Sequence, residues 1–341
     1  MSDTFTPIAQ VGEFGLIDRL RDTLGADTAA DLLIGIGDDA AVYSVGSGRV
    51  HVLTTDILVE GVHFDRTFAP LGLLGYKSIA VNVSDIIAMN ARPLYATVTI
   101  GLPNNVSVEQ AETLYEGISQ AAKRFGLAVV GGDTTAAERM IISVSVVGEA
   151  AEQDIVQRSG AEPGDLLCVT GHLGAAAAGL KILLSEKEAF LDADRQPDLQ
   201  PWSFVVERHL SPRPRLDSLD TWREAGFKPK ALIDISDGLA SETHHICRSS
   251  AVGARIDAAL LPIHVDTYRV AERFKERPET YALYGGEDYE LLFAAAPNDL
   301  ALLADDTYAV VGEVTDAIDG IVLRLPDGEV APLEATGFQH F

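Results

Sequence analysis

Cysteine is nearly absent from this chain of 341 residues: Cys168 and Cys247 stand far apart, with no CxxC spacing. That excludes a disulfide framework and a thiolate metal site, and leaves two inert core thiols of a reducing compartment. Cations are also scarce, with 26 Lys and Arg against 51 Asp and Glu and a formal net charge of −25. Such a surface repels phosphodiester backbones and anionic bilayers, so nucleic acid and membrane are not expected partners. The most apolar stretch, Leu173 to Leu184, is too short to cross a bilayer and carries Lys181. The opening MSDTFTPIAQ lacks the basic and apolar regions of a signal peptide, so a cytoplasmic location is expected. Also missing are a GxxxxGKS/T loop, the HRD and DFG pair of protein kinases, and an EF-hand calcium loop. A nucleotide bound here is therefore not held in a P-loop.

What the chain has instead is carboxylates among small residues. Six stretches place acids beside Gly, Ser or Thr: Gly37-Asp38-Asp39, Thr54-Thr55-Asp56, Ser84-Asp85, Gly131-Gly132-Asp133, Asp234-Ile235-Ser236-Asp237-Gly238 and Gly285-Gly286-Glu287-Asp288. Carboxylates at strand ends repel one another unless cations hold them, and hard oxygen ligands suit magnesium bridging to phosphates. Taken singly, each stretch also has a structural reading. TTD is a strand end with an Asx turn, GGDTT is a turn, and Asp237 caps a helix. Gly35 to Ala40 satisfies a relaxed GxGxxA dinucleotide pattern, but two aspartates stand where a pyrophosphate would lie, which rejects that reading. His63 is by default a packing or surface residue, and Arg158, Arg213 and Arg215 are by default surface charges. Phosphate binding nevertheless needs cations, and this chain has few.

The length favours two domains of about 150 residues each. Strands are expected at 50–55, ending at Asp56, and at 95–102, 127–130 and 140–148, with helices over 71–89 and 108–125. Ser107 and Gln110 form a capping box for the second helix. Leu127 to Val130 reads as a short buried strand broken by Gly131-Gly132, and the polar segment 149–164 as a linker. A second module alternates strands near 165–170, 231–235, 254–257, 289–294, 308–314 and 321–325 with helices at 173–184 and 238–248. The boundaries are placed at 1–150 and 151–341.

Taken in order, GIGDDAA at 35–41, TTDILVEGVHF at 54–64, KSIAVNVSDIIAM at 77–89, GGDTT at 131–135, RSGAEPGD at 158–165, HLSPRPR at 209–215, IDISDGL at 233–239 and GGEDYELLF at 285–293 resemble the thiamine-monophosphate kinase family. That family lies in the aminoimidazole ribonucleotide synthetase-like superfamily. The resemblance implies an α+β fold of two domains, each a mixed sheet packed with helices, and a homodimer. It also implies transfer of the ATP γ-phosphoryl group to thiamine monophosphate. By that resemblance Asp39, Thr54, Thr55, Asp56, Asp85, Asp133, Asp234 and Asp237 hold several magnesium ions, with Asp56, Asp85, Asp133 and Asp237 central to catalysis. Tyr115, Gly132, Asp133, Arg158 and Ser236 contact ATP, and His63, Glu287 and Phe338 contact the thiamine substrate. Asn90 departs from the glycine usual after Met89. The synthetase itself is the rival enzyme reading, and a magnesium-nucleotide or calcium-binding module the non-enzymatic one. The superfamily's selenophosphate synthetase and hydrogenase maturation factor need reactive cysteines that are not expected here.

Overall fold

A computed structural model describes residues 6–25, 29–193 and 196–335. The first sheet contains β1 (Leu32–Ile34), β2 (Ala41–Gly46), β3 (Arg49–Val59), β4 (Arg92–Leu102), β5 (Ala128–Ala136) and β6 (Ile141–Ala151), in the order β1-β2-β3-β6-β4-β5. Only the β4–β5 pair is parallel, so the sheet is mixed. With α1 (Gly12–Leu24) before it, the sheet packs one face on α2 (Leu71–Ala88) and α3 (Val108–Phe125). The strand alternation decides which residues go inward. Val50, Val52 and Leu58 of β3 are buried against the helices, while Leu53 and Ile57 on the opposite face are 41% and 52% exposed. Ser107 and Gln110 form the expected capping box at the start of α3.

The second sheet contains β7 (Leu166–Val169), β8 (Ala231–Asp234), β9 (Gly253–Asp257), β10 (Leu291–Ala295), β11 (Ala309–Thr315), β12 (Ile321–Arg324) and β13 (Val330–Pro332), in the order β13-β12-β9-β11-β7-β10-β8. It is mixed through the parallel pair β12–β9. Its longer helices are α4 (Ala175–Ala193), α5 (Ser203–Leu210), α6 (Leu216–Ala225), α7 (Leu239–Ser250), α8 (Val265–Phe274) and α9 (Pro278–Tyr284). Unlike the first, this sheet is covered on both faces at its centre. Leu291 and Phe293 enter one apolar cluster, with Trp222 and Phe227, and Leu292 and Ala294 enter another. An unbroken apolar strand is what two covered faces require. The first of these clusters runs on into α2 and the first sheet, so the two sheets share packing.

Three elements differ from the sequence expectation. β3 does not end at Asp56 but pairs with β6 as far as Val59↔Ile141, because Ile57, Leu58 and Val59 favour the pleated surface. β5 runs through both glycines and is exposed throughout. A Cβ on Gly132 would come within 1.8 Å of the Val98 carbonyl oxygen, so this glycine lets the strand approach β4 instead of breaking it. Among the described residues, the helix with the length and hydropathy of a bilayer span is α2, and it is 78% buried inside the protein. Both cysteines are buried, and burial pushes each thiol up to about 12, as inert core thiols require.

Candidate active site

β2 stops pairing with β3 at Leu53, so beyond that point one edge of β3 is open. The last turns of α2 fill the opening. Asn82 Oδ1 accepts the Asp56 backbone N–H at 3.0 Å, and Thr54 Oγ1 donates to Asp85 Oδ2 at 2.5 Å. The same turn reaches the second sheet, where Ser84 Oγ donates to Asp234 Oδ2 at 2.5 Å. The loop before β2 brings Asp39, whose Oδ1 accepts from Arg158 Nη2 at 2.6 Å and Nε at 3.2 Å. Asp39, Asp56, Asp85 and Asp234, far apart in sequence, thus gather around one helix end.

These carboxylates are short of positive charge. Burial raises Asp85 well above the ordinary range, and Asp56 and Asp234 add to it. Burial and Asp39 push Asp234 up to about 8, and burial alone pushes Asp56 to about 6. Burial also raises Asp39, with Arg158 as its offset. Burial works against the charge of Arg158, but Asp39 outweighs it and the guanidinium is held more firmly protonated. Asp39 Oδ2 is buried with no hydrogen-bond partner, an orphaned acceptor that a cation would satisfy. Among the described residues no three acidic, His or Cys side chains close on a single point. Magnesium does not need such a cage: it takes one or two carboxylates and completes its shell with waters and phosphate oxygens. The donor set fits that ion.

Beside the cluster lies the turn that carries Glu287. Gly286 packs on the Asp237 loop so closely that a Cβ would come 2.3 Å from the Ser236 carbonyl oxygen. That carbonyl accepts the Glu287 N–H at 2.7 Å. Lys77 Nζ lies 2.7 Å from Glu287 Oε1 and His209 Nδ1 lies 3.0 Å from Oε2. Burial pushes Glu287 up, but Lys77 and His209 outweigh it and bring it down to about 2. Asp237 does not cap α7: the cap is Gly238, no side chain bonds there, and the Asp237 N–H goes to Glu242 Oε1 at 2.9 Å.

Other expected residues lie elsewhere. Thr55 points to the bare face of the first sheet, where Ser145 Oγ donates to its hydroxyl at 3.0 Å. Gly132 and Asp133 sit on exposed β5, and Tyr115 on α3 is 38% exposed. The register Asp56↔Val144↔Val98↔Gly132 puts β5 three strands from β3, about 14 Å at the usual spacing. His63 Nδ1 accepts the Val59 N–H at 3.0 Å in the turn after β3. Phe338 lies outside the described residues. Arg215 pairs with buried Glu290 at 3.0 Å, and Arg213 pairs with Glu207 on the surface. The sequence reading assigned no role to Lys77, Asn82, Ser84, His209 or Glu242. The first three recur as polar positions on an otherwise apolar helix, a signal that was available.

Two family models match the chain: AIR synthase related protein, N-terminal domain, over residues 37–150, and its C-terminal domain over 162–323. The thiamine-monophosphate kinase of Bacillus subtilis is 34% identical over 337 residues, spanning 96% of this chain and 99% of its own length. That of Aquifex aeolicus is 36% identical over 335 residues, spanning 98% and 99%. The chain belongs to the thiamine-monophosphate kinase family. A solved structure described as AaThiL complexed with AMPPCP and TMP superposes with a TM-score of 0.86 at 33% identity, over 99% of this chain and 100% of that one. The expected α+β fold of two mixed-sheet domains is therefore the family's own. Asn90 fits its departure from the family pattern: it adopts φ +56 and its amide donates to the Asp154 carbonyl at 2.7 Å. Asparagine tolerates that left-handed backbone better than most residues.

Proposed function

We propose that this protein transfers the γ-phosphoryl group of ATP to thiamine monophosphate, giving thiamine diphosphate and ADP. The observation that carries the reading is the half-buried to buried, cation-poor group of Asp39, Asp56, Asp85 and Asp234 around one end of α2, with Glu287 beside it. The acceptor is a phosphate monoester with a second pKa of about 6, mostly dianionic at pH 7. No general base is needed to activate it. The obstacle is repulsion between two polyanions, several kcal/mol per unit-charge pair at ~4 Å and an effective dielectric near 20.

Asp39, Thr54, Asp56, Asp85, Asp234 and Asp237 would hold magnesium, which when bound neutralises and aligns the facing phosphates for in-line transfer. The chain's own residues do the rest. Ser84 and Thr54 fix the orientation of Asp234 and Asp85 by hydrogen bonds. Arg158 supplies the fixed guanidinium at the nucleotide phosphates, and Glu287 faces the organic part of the acceptor. Transfer is direct, without a phospho-enzyme.

We further propose a cytoplasmic homodimer. The bare face of the first sheet exposes Leu53, Ile57 and Tyr95, and β5 exposes Val130. Within one chain Asp133 is too far from Asp56 to share an ion. A second copy laid on this face would cover the apolar residues and deliver its own Gly132, Asp133 and Tyr115. The decisive assay is incubation with ATP, magnesium and thiamine monophosphate, followed by chromatography. Thiamine diphosphate and ADP in equal amounts are expected. ADP without the diphosphate, or a trapped phosphoaspartate, refutes the reading.

A further inference from the structure

Nothing in the reaction so far uses Lys77 or His209. We propose that both are positioning residues that clamp Glu287 toward the acceptor, an inference that rests on the reading of Glu287 as a substrate contact. Lys77 is 3% exposed and His209 4%, so both are withdrawn from water, whereas the Glu287 side chain keeps 25% of its surface open. The clamp therefore points outward from the core. A buried ion pair contributes little net stability, because desolvation offsets the attraction. Its clear consequence here is that an ammonium and an imidazole stand behind the carboxylate, 2.7 Å from Oε1 and 3.0 Å from Oε2. Each oxygen has a second lone pair, and these are left to face a donor such as the amino group of the substrate pyrimidine.

The surrounding turn is built to hold that orientation. Glu287 and Tyr289 both adopt left-handed backbone, φ +67 and +52, which for these side chains persists only when neighbours fix it. Arg208 does so from one side, its Nη2 donating to the Asp288 carbonyl at 3.0 Å and to Glu290 Oε1 at 2.7 Å. Thr170 donates to Glu290 Oε2 at 2.7 Å, and Arg215 lies 3.0 Å from the same oxygen. Arg208 and Arg215, at the two ends of the segment 208–215, thus brace the Glu287 turn, and Arg215 is part of that brace instead of a phosphate ligand. Lys77 and Asp85 share α2 eight residues apart, about 12 Å along the axis. One rigid helix thereby sets the distance between the organic end of the acceptor and its phosphate end.

The test compares Lys77→Met, Lys77→Arg, His209→Asn and Glu287→Gln by separate KM values for the two substrates and by melting temperature. Lys77→Met should raise KM for thiamine monophosphate about tenfold or more, with KM for ATP unchanged, and Lys77→Arg should recover most of the loss. If Lys77→Met does not fold, His209→Asn carries the test with the same expected split. Impaired Glu287→Gln beside unimpaired Lys77→Met and His209→Asn overturns the clamp alone. An unchanged KM in Glu287→Gln removes Glu287 from the site and the clamp with it. Both KM values rising together with a lowered melting temperature assigns the pair to the fold and also overturns the proposal.

Discussion

A cluster of carboxylates and a single carboxylate beside it are built on opposite principles in this protein. Around the end of α2, Asp56, Asp85 and Asp234 crowd together with Arg158, bonded to Asp39, as the cation beside them. In the turn before β10, Glu287 is paired with Lys77 and His209. Burial raises all four acids, yet the first three end above their ordinary range and Glu287 ends below it. The difference separates a group that would accept added cations from one already paired within the protein. The first suits a metal-phosphate assembly that arrives with the ligand, and the second suits a fixed acceptor for a neutral or cationic organic group.

The largest expected effect follows from emptying the cluster. Asp56→Ala should lower kcat about 10³-fold at saturating magnesium, since it removes charge stabilisation made at the transferring group. Its melting temperature without magnesium should stay level or rise, because one repelling buried acid is gone. A near-normal kcat would remove Asp56 from the metal assignment. A collapsed melting temperature would mean that the acid holds the fold instead.

Asp133→Ala should cost about 10²-fold or more in kcat, although Asp133 is far from the cluster in its own chain. Mixing inactive Asp56→Ala with inactive Asp133→Ala, after exchange of subunits, should restore activity. In the mixed dimer one site then draws both aspartates from unaltered positions. No restoration despite proven exchange, or a monomer in light scattering, would sink the shared site.

The fold was legible in the sequence where one interaction dominates, and the site only in part. Capping chemistry at Ser107 and the apolar run at Leu291 to Ala295 each specify their element locally. The acids stood out because buried carboxylates among glycines have few structural uses. What could not be read is which acids meet. Ser84 and Asp234 are 150 positions apart, and only the packing of α2 across both sheets joins them. The extension of β5 through Gly131-Gly132 was missed for a related reason. Glycine reads locally as a breaker, whereas here it answers a close carbonyl on β4.

The cluster and Glu287 should also give opposite pH dependence of stability in metal-free buffer. Asp234 titrates near 3.8 unfolded and about 8 folded, so its contribution is complete below pH 4 and is lost as pH rises toward 8. Glu287 titrates near 4.5 unfolded and about 2 folded, so its contribution is complete above 4.5 and is lost as pH falls toward 2. The melting temperature should fall by about 5–10 °C from pH 5 to 8, and magnesium should remove that alkaline loss and leave the acid limb unchanged. An alkaline slope indifferent to magnesium would contradict the contrast.

The smallest effect concerns His63, which sits in the turn after β3. Its Nδ1 accepts the Val59 N–H, so in this hydrogen-bonded form the ring proton is on Nε2, and the imidazole is a neutral donor. A single neutral hydrogen bond is worth about 1 kcal/mol. His63→Ala should therefore raise KM for thiamine monophosphate about fivefold and leave KM for ATP unchanged. The same substitution strips the acceptor from Val59, so a small drop in melting temperature accompanies it whatever the substrate does. His63→Asn separates the two effects if its side-chain oxygen keeps the turn bond while the Nε2 donor is lost. KM raised in both variants places the imidazole against the acceptor. KM raised only in the alanine variant makes His63 a turn residue, and an unchanged KM in both takes it out of the site.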